Sequence, residues 1–365
     1  MILHFYFARR FASRFGIALG AMFALIALID LVDQTRRFAD RGVSFGGIFE
    51  LVLLNTPQTI ALMLPLIVLL STVALFIGLA RSSEMVATRA AGRSALRALV
   101  APVFVALIIG IFATTAFNPI VAATSKRFTE LSEGYRSGGL STLSISDEGL
   151  WLRQGTDDGQ MVIRALRSNP DASVLFDVTF LAYAPDVGPV RRIHADSAEL
   201  RAGEWFLRNV KEWPLAVGVN SEGRSQEHRT LVIPSTLTIE RIRESFGSPS
   251  TVSIWELREF AEQLDQAGFS SVKHRVWFQS QLAQPLFFVA MVLVASAFTM
   301  RHTRFGGTGT AVLSAVLMGF TLYFIKSFAL ILGENGQIPI LLAAWAPPVA
   351  SILLALGPLL HAEEG

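Results

Sequence analysis

The chain has 365 residues, 52% of them hydrophobic and 16% charged, with a mean hydropathy of +0.48; soluble domains carry about 25% charge, so this deficit argues for a membrane protein. The formal net charge of +2 gives no reason to expect nucleic acid or another polyanion as a partner. Cysteine is absent, which excludes a disulfide framework and a thiolate metal site.

A helix crosses the hydrocarbon core with about 20 mostly apolar residues, and six windows meet this. The first runs from Phe11 to Val32, with Arg14 at its edge. Leu51–Ala80 and Ala98–Ser125 follow without any charge. The first window is preceded by Arg9 and Arg10, as a signal peptide would be, but its apolar stretch is long. Bulky residues (Ile2, Leu3, Phe5, Phe7) also come before the arginines, so a retained helix is expected.

Residues 126–274 differ in texture. Short alternating or apolar runs appear at Leu150–Gln154, Gln160–Leu166, Val174–Tyr183, Ile193–Leu200, Trp205–Val210, Leu215–Val219 and Thr230–Ile233. Turn residues such as Asp157-Asp158-Gly159 and Asn169-Pro170-Asp171 separate them. This spacing predicts an inserted β-sandwich or jellyroll, without deciding between them. Ser253-Ile254-Trp255-Glu256 then reads as a capping box. Ile254, Leu257, Phe260, Ala261 and Leu264 follow on one helical face, and Gly268 suits the stop. A short amphipathic helix over 253–267 is expected, acting as a strut.

Three further windows close the chain: Val276–Met300, Phe305–Leu332 and Asn335–Leu360. Of these, the second contains Lys326. The predicted organisation is three spans in 1–125, a β domain with a short helix in 126–274, and three spans in 275–365. With the N terminus inside, the inner short loops hold Arg9, Arg10, Arg14, Arg81, Arg89, Arg93, Arg97, Arg301 and Arg304, and the outer ones only Arg36, Arg37 and Arg41. Nine against three predicts both termini inside and 126–274 outside.

The turn after the second window reads Arg81-Ser82-Ser83-Glu84-Met85-Val86-Ala87-Thr88-Arg89-Ala90-Ala91-Gly92-Arg93. Ser82 or Ser83 can cap a helix near 82–92, Glu84 suits its positive end and Gly92 can close it. Such a helix has the size to dock in a groove of a soluble partner, with Met85 and Val86 as apolar anchors. The plainer alternative is a capped loop whose arginines obey the positive-inside tendency.

The run from Ser83 to Gly92 resembles the signature of the LptF/LptG permeases of lipopolysaccharide export. Other segments agree in order. Leu31-Val32-Asp33-Gln34-Thr35-Arg36-Arg37 is similar to the end of the first helix in the LptG branch. Gly149-Leu150-Trp151 is similar to the opening of its periplasmic domain, and Gln284-Pro285-Leu286 to the start of its fourth helix. Ile338-Pro339 and Ala343-Ala344-Trp345-Ala346-Pro347 resemble its last helix. The resemblance covers essentially the whole chain.

It implies a permease subunit of an ABC-type complex in the bacterial inner membrane, with a periplasmic β-jellyroll. Such a subunit takes lipopolysaccharide from the outer leaflet and passes it to a periplasmic bridge. The implied partners are a sister permease (LptF), a cytoplasmic ATPase dimer (LptB), a single-span protein (LptC) and lipopolysaccharide itself. Glu84 and Arg89, with Met85 and Val86, would lie on the helix gripping the ATPase. The chain has no G-x-x-x-x-G-K pattern of its own, since none of its four lysines follows a glycine. No cofactor and no catalytic triad are expected. His194 and Asp196 stand alone as metal ligands, which makes a metal site improbable.

Arg36, Arg37 and Arg41 run against the positive-inside tendency and would lie level with lipid A phosphates, which arginine pairs well. The alternative is charge balance by Asp33, Asp40 and Glu50. The LptG branch can carry a further basic residue near position 30, where this chain has Asp30. Lys326, a charge inside a span, faces a cavity and substrate, or else snorkels outward or pairs with Glu334. Gly16, Gly20 and Ala24 form a small-residue stripe that suits a partner helix at a lateral gate, or packing within the chain. The rivals are another ABC-type lipid permease or mechanotransmitter, a secondary transporter, and a membrane scaffold with no substrate.

Overall fold

In the computed structural model the described residues are 2–90, 94–137, 143–146, 149–156, 159–169, 173–184, 188–201, 203–215, 221–235, 237–238, 242, 248–266, 269–300 and 308–364. They form two compact units. The first comprises residues 1–132, 250–257 and 272–365, and the second comprises 133–249 and 258–271.

The first unit is built of helices: α1 (Ile2–Phe38), α2 (Phe45–Arg81), α3 (Glu84–Ala90), α4 (Ala95–Phe112), α5 (Asn118–Ser137), α7 (Val272–Thr299), α8 (Thr308–Glu334) and α9 (Ile340–Glu364). A π-helical turn, Ala113–Phe117, joins α4 to α5, so these make one long span. Six helices are long and apolar enough to cross a membrane, at Leu3–Phe38, Phe45–Arg81, Leu96–Ser132, Val272–Thr299, Gly309–Glu334 and Ile340–His361. They overlap the six expected windows. The first helix begins more than two turns earlier than its apolar window, at Ile2 rather than Phe11, because Phe7 and Phe11 are buried in the same core as α2. The last begins at Ile340 rather than Asn335, because Gly336 sits at φ +71 in the turn before it. The segment 301–307, with Arg301, Arg304 and the glycines of the 306–309 run up to Gly307, lies outside the described residues.

The helix α7 is the centre of this unit, packing against α2, α4, α8 and α9. Its most apolar window is 78% buried, whereas that of α1 is 0% buried and that of α8 is 22%. The outer faces of α1 and α8 therefore present Ile17, Leu28, Ile29, Phe324 and Phe328 uncovered. Faces this apolar need lipid or another membrane protein against them.

Prolines shape the span packing by leaving carbonyls unbonded four residues back. Pro285 in α7 releases the Gln281 carbonyl, and the Thr114 hydroxyl on the π turn donates to it at 3.0 Å. Pro119 likewise releases the Thr115 carbonyl, which accepts the Trp255 indole N–H at 3.1 Å. At Gly110 a Cβ would run into the Cα and Cβ of Pro285. Only glycine permits α4 to come that close to α7.

The second unit holds a seven-stranded antiparallel sheet in sequential order. Its strands are β1 (Leu143–Ser146), β2 (Gly149–Thr156), β3 (Gly159–Ser168), β4 (Val174–Ala184), β5 (Gly188–Arg201), β6 (Glu204–Pro214) and β7 (Gln226–Pro234). The inserted antiparallel β domain is thus present, and each strand pairs with the next, as short turns favour. One face is apolar: Leu152, Ile163, Phe180, Ile193, Trp205 and Leu207 are all nearly or fully buried. The ladder skips Asp177, Asp196 and Asn209 on three neighbouring strands. Asp177 and Asn209 have positive φ, and the Asn209 amide donates to Asp196. Such interruptions bend and twist strands.

The runs expected to be strands fall in β2 to β7, except Leu215–Val219. Leu215 follows the end of β6, and 216–219 lie outside the described residues. The strand β1 has too little alternation in its four residues to be legible in advance. The helix α6 (Ile254–Gln266) carries the expected apolar face. Its Phe260 and Leu264, with Phe269, complete the sheet's core. The N-terminal cap differs in detail from a capping box. The Ser253 hydroxyl accepts from Trp255 N–H, and the Ile254 N–H is taken by Asn118. Gly268 lies outside the described residues.

Candidate functional site

Three places in the helical unit gather the side chains singled out by sequence. The first is a cavity of ≈ 250 Å³ among α2, the π turn, α5, α7 and α8. Its polar lining comes from Gln58, Asn118, Trp277, Gln281, Lys326 and Glu334, with apolar walls from Leu62, Pro65 and Leu330. Gln58 is held by two contacts: it accepts from the Ser125 hydroxyl at 2.9 Å and donates to Ser250 at 3.2 Å. The Trp277 indole nitrogen is buried with no hydrogen-bond partner among the described residues.

Lys326 is 7% exposed, so it does not snorkel outward. Its ammonium lies 4.6 Å from the centre of the Phe287 ring. No ion pair joins it to a carboxylate of the described residues, although Glu334 lines the same cavity. The ring face offers a cation partial compensation where water is scarce.

The second place is the far end of α1. Arg37 pairs with Asp33 one turn back at 2.9 Å. Arg36 is exposed, and none of the described carboxylates forms an ion pair with it. Arg41 lies in the short 3-10 turn that ends at Gly42, where φ is +65. Charge balance thus applies to Arg37, while the side chain of Asp40, another acid close by, lies outside the described part. Gln34 is buried and donates to Asp30 at 3.1 Å, while the other Asp30 oxygen is buried with no hydrogen-bond partner among the described residues. Gly16, Gly20 and Ala24 are exposed, and nothing among the described residues lies within 4 Å of a Cβ built on either glycine.

The third place is α3, at the other end of α1. Glu84 accepts from Arg10 at 2.7 Å on both oxygens, from the Tyr6 hydroxyl at 2.8 Å and from Ser82 at 2.7 Å. Burial alone would raise its pKa, but the bonds from Ser82, Tyr6 and Arg10 outweigh this and hold the carboxyl below its ordinary range. Met85 is half-buried against the helical core, and Thr88 is buried. Met85 therefore helps to fasten α3 to its own chain. The side chains of Val86 and Arg89, and residues 91–93, lie outside the described part.

Sequence reasoning missed Arg10 and Tyr6 as partners of Glu84, because they lie more than 70 positions away and Arg10 was read only as a flanking charge. It also passed over Gln58, Trp277 and Gln281. A signal was available: amide side chains in otherwise apolar spans are costly to leave unpaired.

No described group of histidine or carboxylate residues could hold a metal ion. His194 sits near Asp177 and Thr179 rather than in a ligand cluster.

The chain matches the family model described as lipopolysaccharide export system permease LptF/LptG over residues 5–361. A lipopolysaccharide export system permease protein LptG of Haemophilus influenzae is 24% identical over 348 residues, covering 92% of this chain and 94% of that protein. The protein of the same name in Escherichia coli strain K12 is 22% identical over 359 residues, covering 97% of each.

Proposed function

The chain belongs to the LptF/LptG family of lipopolysaccharide export permeases, and from that premise we propose that it is one permease subunit of an ABC-type exporter. It takes lipopolysaccharide from the outer leaflet of the inner membrane and hands it to a periplasmic bridge. ATP is hydrolysed by a separate cytoplasmic ATPase dimer (LptB). A sister permease (LptF) completes the transport cavity, and a single-span subunit (LptC) borders it.

The observation that carries this reading is a six-helix membrane unit with two bare apolar faces, on α1 and α8. A sister permease and acyl chains both suit such faces. The exposed stripe of Gly16, Gly20 and Ala24 on α1 allows another helix to approach closely. The arginine balance favours cytoplasmic termini and a periplasmic β domain. In that orientation α3 faces the cytoplasm, and Arg36, Arg37 and Arg41 lie at the level of lipid A phosphates. Lys326 supplies a further cation at the cavity wall.

The test is copurification and reconstitution. Tagged chain should bring down an ATPase, a sister permease and bound lipopolysaccharide, and the ATPase should be stimulated by lipopolysaccharide in liposomes. Val86→Asp with Arg89→Glu should release the ATPase. An ATPase that stays bound and active in that variant would remove α3 from the coupling surface.

A further inference from the structure

Glu84 is the acidic residue at the start of α3, and its carboxylate is already committed inside the chain. Arg10 contacts both of its oxygens at 2.7 Å, and Tyr6 donates to one at 2.8 Å. The Arg10 guanidinium also lies 5.1 Å from the centre of the Tyr6 ring, so the two donors brace each other. The Arg10 and Glu84 side chains are 35% and 29% exposed, which screens this pair less than a surface one. By contrast, the covalent link from α2 to α3 is only Ser82 and Ser83, and Ser83 adopts φ 56, a left-handed conformation uncommon outside glycine. A two-residue turn of this kind can act as a hinge. Met85 packs α3 on the helical core, and the grip of Arg10 and Tyr6 on Glu84 ties it to α1.

The helix α1 runs unbroken for 37 residues, Ile2–Phe38, with no proline. It is roughly 55 Å long at 1.5 Å per residue. Arg10 stands near one end of it, and Arg36 and Arg37 stand at the other.

We propose that Arg10 and Tyr6 are positioning residues that clasp α3 to α1, making α1 a lever that carries a displacement of α3 to Arg36 and Arg37. This rests on the reading of α3 as the ATPase contact. Moving α3 alone would break three charge-assisted hydrogen bonds, whereas moving α3 and α1 together breaks none of them. Although α1 packs along α2, its apolar window is bare on the outer face, whereas most of that of α7 is buried, so α1 is less enclosed by its own unit than α7.

The experiment uses the full complex in liposomes and measures lipopolysaccharide released per ATP hydrolysed. Arg10→Ala should keep the ATPase bound and its basal hydrolysis unchanged, while release per ATP falls about fivefold, the factor expected for one partly exposed ion pair. Arg10→Lys should keep most of the coupling. Tyr6→Phe, which removes one of the three bonds to Glu84, should lower release per ATP by less than Arg10→Ala does. Unchanged release per ATP in Arg10→Ala would overturn the lever alone, as would an Arg10→Ala complex stripped of its ATPase. An ATPase that remains bound and active in the Val86→Asp, Arg89→Glu variant would overturn the docking reading and the lever together.

Discussion

The ammonium of Lys326 on α8 sits 4.6 Å from the centre of the Phe287 ring on α7, and 7% of the lysine is exposed. A cation stored against a ring at a cavity wall, with no ion pair to a carboxylate of the described residues, is suited to meet an anion that arrives from outside.

Lys326→Met preserves the length and apolar stem and removes the charge. The complex should still assemble. Crosslinking of lipopolysaccharide to a photoreactive residue at Tyr323, which lines the same cavity, should fall about tenfold, the scale of one hydrogen bond to a charged group. Equal crosslinking in the two proteins would leave Lys326 a purely structural charge.

At the far end of α1 the two adjacent arginines should not be equivalent. Arg37 is paired with Asp33, while Arg36 has no ion pair with a described carboxylate. Arg36→Ala should therefore reduce lipopolysaccharide crosslinking more than Arg37→Ala, and the double variant should also lower transport-stimulated ATP hydrolysis. A double variant indistinguishable from the parent in both assays would remove the headgroup role from this cluster.

The contact of α4 with α7 leaves no room at Gly110. Gly110→Leu should destabilise the helical unit by about 1–3 kcal/mol or more through overpacking against Pro285. Thr114→Val should cost about 1–3 kcal/mol by leaving the Gln281 carbonyl without its hydroxyl donor. Thermal unfolding of the detergent-solubilised protein measures both. A melting temperature that does not drop for Gly110→Leu would mean that the helices can separate freely.

The clasp on Glu84 should be pH dependent in one direction. Its carboxyl is held below the ordinary range by hydrogen bonds from Ser82, Tyr6 and Arg10, despite the opposing effect of burial. A depressed carboxyl contributes stability that is fully present above its unfolded value and is lost as pH falls through the folded value. Spin labels on α1 and α3 should keep a constant separation from neutral pH down through the ordinary carboxylate range and separate only below it. Separation beginning at mildly acidic pH would contradict the depressed value.

Much of the architecture was legible in the residues. Runs such as Leu51–Ala80 are too long and too apolar for anything but a span, and alternation in Val174–Tyr183 and Trp205–Val210 carries the period of a strand. Hydropathy is a local signal, so it found these elements without knowing their neighbours. It also found Lys326, because a lone charge stands out in an apolar run. It did not find β1, where four residues are too few to show a period. Nor could it tell which of Arg36 and Arg37 is paired, since both lie within reach of Asp33 and only the turn of the helix favours one.

The sequence by itself determined that this is a membrane protein of six apolar helices with an inserted antiparallel β domain, because burial in lipid and pleating in a sheet each impose a period or a length on neighbouring residues. Only the tertiary structure decided that Met85 turns toward its own core, that Gly16 and Gly20 face outward, and that Glu84 is held by Arg10 and Tyr6. Those facts depend on which helices meet and at what rotation, and such relations join residues far apart in the chain, where no local pattern records them.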